Sequence, residues 1–238
     1  MQKKQVDFEL AKKVDSLPRG NDWFYELKYD GWRIMAFVND DVHLITRNQN
    51  DATSKFSSIA DALVKWQTKK KFTAVLDGEL ISESFSAIRK SENLTYVVFD
   101  LLSLNNVDMR DKPLVERKTA LQKLLKTAPA QIQYCEHLET ITKGDFEILC
   151  LNGHEGIIIK RADSVYTGGR SGNWLKLKNE NFSRTKIETP EITSPDKKVF
   201  SGVTKADIAE YYKAVFPLIF PHIKGSDNIH ANILGGVG

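Results

Sequence analysis

The chain has 238 residues, 41% hydrophobic and 27% charged, which supports one large globular domain, with or without a fragment of another, and excludes a low-complexity or fibrous chain. A net charge of +3 is too small to declare a nucleic-acid partner and compatible with one, since a basic face hides easily in a near-neutral total. Cys135 and Cys150 make neither a C-x-x-C pair nor a metal spacing with the histidines, and no apolar run has the length of a signal core or a membrane span, so reduced thiols in a soluble, intracellular protein are expected.

In chain order, residues 22–47 read as a strand–turn–strand–turn–strand meander. "WFYELKY" runs to Asp30-Gly31, "WRIMAFV" to Asn39-Asp40-Asp41, and "VHLITR" closes it, with D-G and N-D as hairpin signals. Residues 54–68 carry Phe56, Ile59, Ala60, Leu63 and Trp66 at helix spacing, and Lys69 to Lys71 read as a solvated helix end. Two strands, "FTAVLDGELIS" and "LTYVVFDLLSL", come next. Residues 113–127 predict an amphipathic helix, with Pro113 in its first turn and Leu114, Leu121, Leu124 and Leu125 as its stripe. A helix near 143–152, a buried strand "EGIIIKR", a glycine-rich loop "DSVYTGGRSG" and a strand "NWLKLK" follow. The class expected is α+β, mainly antiparallel sheets with flanking helices, over residues 1–182. Residues 183–196 read as a Pro/Thr/Ser/Glu linker. Within 197–238, an amphipathic helix is expected from a Thr204 cap with Asp207, ended by Pro217 and Pro221, before a frayed tail.

Side chains at alternate strand positions share a face. Glu26, Lys28 and Asp30 therefore line one face, Asp77 and Glu79 another, and Trp174, Lys176 and Lys178 a third, while Leu27, Tyr29, Leu175 and Leu177 turn to the core. A solvated sheet face gives the same alternation. Gly31, Gly78 and Gly156 each adjoin a charged residue, and glycine admits close approach by a ligand or backbone. In such a cluster a lysine either anchors a phosphate as a point charge or acts as a nucleophile, which requires the neutral amine.

These residues also resemble a known family signature. "ELKYDGWR" at 26–33 resembles the E-x-K-x-D-G-x-R signature of covalent nucleotidyltransferases, which comprise ATP-dependent DNA ligases, RNA ligases and mRNA capping enzymes. K-x-D-G alone is a weak signal, but further motifs arrive in order: "TRNQND" at 46–51, "LDGEL" at 76–80, "YVVFDLL" at 96–102, "HEGIIIKR" at 154–161 and "GGRSGNWLKLK" at 168–178. The stretch from about 18 to 182 is most similar to the ligase module of bacterial ligase D, the end-joining ligase.

The resemblance implies an ATP-grasp-like nucleotidyltransferase fold and a role for each matching residue. Lys28 would attack the α-phosphate of ATP and carry AMP, which then passes to a DNA 5′-phosphate before the nick is sealed. Glu26 would define the adenine end of the pocket, Phe99 would stack on the base, and Lys160 would join the nucleotide pocket. Arg33, Arg47 and Glu79 would hold the ribose and phosphate region. Lys176 and Lys178 would grip the α-phosphate and offset its growing charge. Glu155 would hold Mg²⁺ or Mn²⁺. The partners implied are nicked or broken double-stranded DNA and a Ku-type end-binding protein, with no membrane, in the bacterial cytoplasm at the nucleoid.

The sequence also departs from the family pattern. A ligase continues past "WLKLK" into an OB-fold domain, a small five-stranded barrel, and no such run of strands is expected here. "ITSPDKKVFSGVTKADIAEYYKAVFPLIFPHIKG" resembles instead the opening of the primase-polymerase domain of ligase D. Self-adenylation is therefore expected to be impaired, and use of a pre-adenylated nick to survive better. Two alternatives stay open: an RNA ligase or GTP-using capping enzyme, and a non-catalytic module that holds nucleotide or nicked DNA.

Overall fold

The computed structural model describes residues 7–182, 196, 198–200 and 203–204. The fold is α+β, as the sequence leads one to expect, and it rests on two sheets. The first has the strand order β1 (Lys12–Val14), β11 (Trp174–Lys178), β10 (Gly156–Arg161), β2 (Trp23–Leu27) and β9 (His137–Leu138). The second has the order β4 (Val42–Thr46), β3 (Trp32–Val38), β5 (Ala74–Ile81), β6 (Thr95–Leu104) and β7 (Val107–Asp108), with β8 (Ile132–Tyr134) parallel to β6. All pairings are antiparallel except β1–β11 and β6–β8.

The expected meander holds in its second half only. β3 and β4 form a hairpin with Val38 opposite Val42. β2 does not pair with β3; it lies between β10 and β9 in the other sheet. Asp30-Gly31 is therefore a crossing between sheets and not a hairpin turn. Glycine is needed there because a β-carbon on Gly31 would overlap the Leu80 carbonyl oxygen of β5.

The helices cover the outer faces. α1 (Ser57–Lys70) buries Ile59, Ala60, Leu63 and Trp66, the stripe its spacing predicts, and ends on a left-handed Lys71. Each such aliphatic side chain contributes roughly 1.5–3 kcal/mol by leaving water. α1 and α3 (Leu114–Leu125) pack on the second sheet through Ile34, Ala36, Val38, Leu76 and Val98. α4 (Lys143–Leu151) starts on a reciprocal capping box between Thr142 and Asp145 and adds Leu149 to the core of the first sheet, with Tyr25, Leu27, Ile157, Ile159 and Leu177. The short α2 (Phe85–Lys90) is capped by Ser84.

A third apolar cluster joins the inner faces: Met35 and Leu102 of the second sheet meet Trp174 of the first, with Phe8 and Tyr166. The charged faces that alternation predicts thus turn toward an enclosed space between two sheets and are not a solvated surface. Near the C-terminus, β12 (Lys198–Phe200) pairs with β13 (Val203–Thr204). Thr204 lies in that strand, and the helix expected to follow it falls outside the described residues. So does the expected linker, apart from Asp196. No helix among the described residues is long and apolar enough to cross a membrane.

Candidate active site

A cleft of about 310 Å³ opens between the sheets. It is lined by six cations, Lys28, Arg33, Arg47, Lys160, Arg170 and Lys176, against two carboxylates, Glu26 and Glu79. A larger groove of about 620 Å³ between Gln67 and Asn106 holds only Asp40 and Lys71 as charged groups and brings no chemistry together.

The inner end is built on β2, β10 and α3. Glu26 is 1% exposed and lies between two buried lysines, Lys118 at 2.5 Å and Lys160 at 2.7 Å. Burial pushes the Glu26 carboxyl up, but the two ammonium groups outweigh it and hold the group below the usual range. For Lys118, burial works against the charge, yet Glu26 wins and the ammonium is strengthened. For Lys160, burial wins and its affinity for the proton falls. The Lys160 Nζ stands 4.2 Å from the Phe99 ring centre and 4.0 Å from that of Trp174. It is close to Glu26 as an ion pair but makes no hydrogen bond, and the buried Trp174 Nε1 also lacks an acceptor. Two buried donors at the base of a cleft are ready for a ligand with acceptor atoms.

Phe99 stands at a β-bulge, on the face of β6 opposite Val98. The β5–β6 register pairs Gly78 with Val98 and Asp77 with Asp100, leaving Phe99 as the extra residue. Phe99 faces the cleft, edge-to-face with Trp174 at 5.8 Å. It is half-buried and lines the cleft, so it is not simply a core aromatic.

Lys28 sits just past the end of β2, which stops two residues short of the "WFYELKY" strand the sequence suggests. Its backbone N–H donates to the Gly156 carbonyl at 2.9 Å. Gly156 has φ +134°, and a β-carbon there would overlap the Leu177 carbonyl, so only glycine lets β10, β11 and the Lys28 backbone meet. The Lys28 side chain, 19% exposed, forms an ion pair with Glu155, which also takes Lys178 at 3.3 Å. Lys176 is the next cation on β11; partial burial and then Lys178, Lys28, Arg170 and Arg47 weaken its hold on its proton.

On the opposite wall, Arg33 forks onto the fully buried Asp77, Nε to Oδ1 at 3.0 Å and Nη2 to Oδ2 at 2.7 Å. The ring of Tyr166 donates its hydroxyl to the same carboxylate at 2.8 Å. Burial opposes the Arg33 charge and Asp77 more than restores it. Glu79 has no such fork. Burial, with Asp77 and Glu155 nearby, pushes its carboxyl up to about 7 against the pull of Arg33 and Lys28. The sign of the linkage follows: between about pH 4.5 and 7 the unfolded chain loses this proton while the folded one keeps it, so the wild type loses stability as pH rises through that window. Glu79→Gln is expected to gain stability relative to wild type from pH 5 to pH 8, read by urea unfolding at both. A gap that stays constant with pH would rule this out.

Every residue the sequence puts forward lies in or beside this cleft: Glu26, Lys28, Arg33, Arg47, Glu79, Phe99, Lys160 and Lys176 line it, and Glu155 and Lys178 stand behind Lys28. Three further participants escape the sequence reading: Lys118, Arg170 and Glu9. Lys118 had a usable signal, because Leu114, Lys118, Leu121 and Leu125 follow one helical stripe, so a charge there is aimed inward. Glu9 and Arg170 have no periodic pattern that exposes them.

A cleft of this kind can hold an anionic ligand with a flat acceptor-bearing end and offer it an amine. Comparison with known proteins gives the family. The family model described as "ATP dependent DNA ligase domain" matches residues 8–86 and 82–178, and the chain belongs to that family. Among relatives, it is 35% identical to the multifunctional non-homologous end joining protein LigD of Pseudomonas aeruginosa, over 88% of this chain and 29% of that one. It is 31% identical to the SPbeta prophage-derived DNA ligase-like protein LigB of Bacillus subtilis, over 79% of this chain and 67% of that one. A mycobacterial DNA ligase D complexed with ATP and MES superposes with a TM-score of 0.56 at 25% identity, over 71% of this chain and 60% of that one. The chain thus spans under a third of the length of its LigD relative.

Proposed function

We propose that this chain is the adenylation domain of an ATP-dependent DNA ligase of the end-joining type, with Lys28 as its nucleophile. The observation that carries the reading is an amine at the mouth of a cleft with six cations against two carboxylates, closed at its inner end by Phe99, by Lys160 paired to Glu26, and by the Trp174 indole N–H, which has no acceptor. In this reading adenine enters on Phe99, its ring nitrogens accept from Lys160 or Trp174, and its amino group donates to Glu26. The ribose lies against Arg33 and Glu79. The phosphates meet Arg47, Lys176 and Lys178.

Lys28 Nζ then attacks the α-phosphorus. A P–N bond forms, the bond to the pyrophosphate oxygen breaks, and the amine gives up a proton. In the second step the 5′-phosphate of a nick takes the AMP and Lys28 regains its amine. In the third the 3′-hydroxyl attacks that 5′-phosphate and releases AMP. Lys176 and Lys178 offset the charge that grows on phosphate oxygens in each step.

The carboxylate oxygens of Glu155 suit a hard ion, Mg²⁺ or Mn²⁺, that takes most of its shell from phosphate and water. Among the described residues no group of three or more His, Cys, Asp or Glu is placed to hold a metal unaided. Bound beside the phosphates, such an ion would neutralise part of their charge. The LigD likeness supports DNA ends as substrate and an end-binding protein of the Ku type as partner.

Incubation with Mg²⁺ and α-labelled ATP or GTP tests the reading. Label from ATP that survives denaturation, with none from GTP, is the expected result, together with sealing of a pre-adenylated nick. GTP label would point to capping chemistry. Binding of nicked DNA without label or sealing would make the chain a non-catalytic module.

A further inference from the structure

Glu9 is wholly buried, and its carboxylate takes no cation among the described ion pairs. Its Oε2 accepts from the Thr167 backbone N–H, the Thr167 hydroxyl and the Gly168 N–H, each at 2.9 Å. Its Oε1 accepts from the Ser171 hydroxyl, which in turn accepts from the Asn173 N–H at 3.0 Å. The backbone adds to this: Leu10 N–H donates to the Gly169 carbonyl at 2.5 Å, and Gly169 N–H donates to Phe8 at 2.9 Å. One side chain therefore closes the whole turn from Thr167 to Ser171.

That turn cannot hold itself. Gly168 and Gly169 have φ of +74° and +65°, conformations that cost little for glycine but impose no order of their own. Arg170, at its tip, is exposed and lines the cleft beside Arg47 and Lys176. The same stretch of backbone that carries Glu9 also reaches the opposite wall, where the Glu9 carbonyl accepts from Arg33 Nη1 at 2.6 Å and its N–H donates to Tyr166 at 2.9 Å.

We propose that Glu9 is a positioning residue: by closing the 167–171 turn it aims the Arg170 guanidinium at a phosphate held in the cleft. Arg170 is then the group that touches substrate, and Glu9 acts through it. The phosphate belongs either to the nucleotide or to the DNA strand. This inference rests on the nucleotide reading of the cleft.

The test measures binding of ATP, adenosine and a nicked duplex to the full chain, in EDTA so that no turnover occurs. Glu9→Ala and Arg170→Ala are each expected to weaken ATP or the nicked duplex by about tenfold, the scale of one charge-assisted hydrogen bond, and to leave adenosine unchanged. The double variant should be no weaker than either single one. Glu9→Gln, which keeps an acceptor for the Thr167 and Gly168 N–H groups, should recover most of the affinity. A loss confined to ATP assigns the phosphate to the nucleotide, and one confined to the duplex assigns it to DNA. Arg170→Ala alters only an exposed side chain, so it decides the matter even if Glu9→Ala does not fold. Equal loss for adenosine, additive effects, or no effect of Arg170→Ala overturns the proposal while leaving the nucleotide reading intact. A wild type that binds neither ATP nor adenosine overturns both.

Discussion

Lys28→Ala is expected to abolish the covalent label from ATP, a fall on the order of 10⁴-fold or more, the scale seen when a covalent nucleophile is removed. Lys28 lines the cleft, stands partly exposed at 19% and is the lining lysine ion-paired to Glu155, which also holds Lys178. Lys160 also lines the cleft, but it is 1% exposed and tied to Glu26 at the inner end. Lys176 is the remaining amine on the wall. Lys28→Arg separates charge from nucleophilicity: it can keep the ion pair to Glu155, but a guanidinium does not deprotonate and cannot attack phosphorus. Both variants should therefore lose label alike while binding ATP within a few-fold of wild type. Because Glu155 keeps Lys178 when Lys28 goes, the fold should lose no more than about 1–3 kcal/mol. Label that persists in Lys28→Ala and disappears in Lys176→Ala would move the nucleophile two strands across the sheet, from the end of β2 to β11.

The chemistry of this site was more legible than its enclosure. Alternation correctly put Glu26 with Lys28 and Lys176 with Lys178, because period two is a local property of an extended chain. It could not say whether those faces meet water or each other. That depends on β2 leaving β3 for β10, a pairing between Tyr25 and Ile159 across more than a hundred residues. The Asp30-Gly31 dipeptide reads as a hairpin for the same reason: a tight turn and a tight crossing need the same glycine. Leu102 shows a second limit. Strict alternation in "YVVFDLL" sets Phe99 opposite Val98 and Asp100, and so it lies, but it would put Leu102 on the Val98 face. The register shifts that leave out Phe99 and Leu102 break the alternation between them, and Leu102 joins Phe99 at the inter-sheet cluster. Bulges have no sequence period. Strands as short as β1, β8 and β9, at two or three residues, carry too few positions for any pattern to register.

Asp100→Ala is expected to destabilise the fold by about 3–5 kcal/mol, the scale for breaking a buried ion pair by removing one partner, against a typical total of roughly 5–15 kcal/mol. Asp100 and Arg117 are both fully buried and meet as a fork, Nε to Oδ1 and Nη2 to Oδ2, each at 2.8 Å. Arg117 Nη1 goes on to the Lys112 carbonyl at 2.6 Å and the Ser164 carbonyl at 2.9 Å. Removing Asp100 leaves the fully buried guanidinium those two carbonyls but no counter-charge. Arg117→Met alone should cost a similar amount by stranding Asp100. The pair Asp100→Leu with Arg117→Met should recover much of the loss, because two matched apolar groups need no desolvation offset. Urea unfolding of the three variants measures this, and a double variant as unstable as the sum of the singles would refute it. The consequence reaches the site through chain neighbours. α3 gives Arg117 to Asp100 and the next residue, Lys118, to Glu26, while β6 gives Asp100 to α3 and the preceding residue, Phe99, to the cleft. A helix that loses its fork therefore loosens both partners of the inner end. Where Asp100→Ala is still folded, its adenosine affinity should fall along with its stability, whereas the double variant should restore both; stability restored without adenosine binding would mean that the fork itself, and not merely a seated helix, sets the geometry around Glu26.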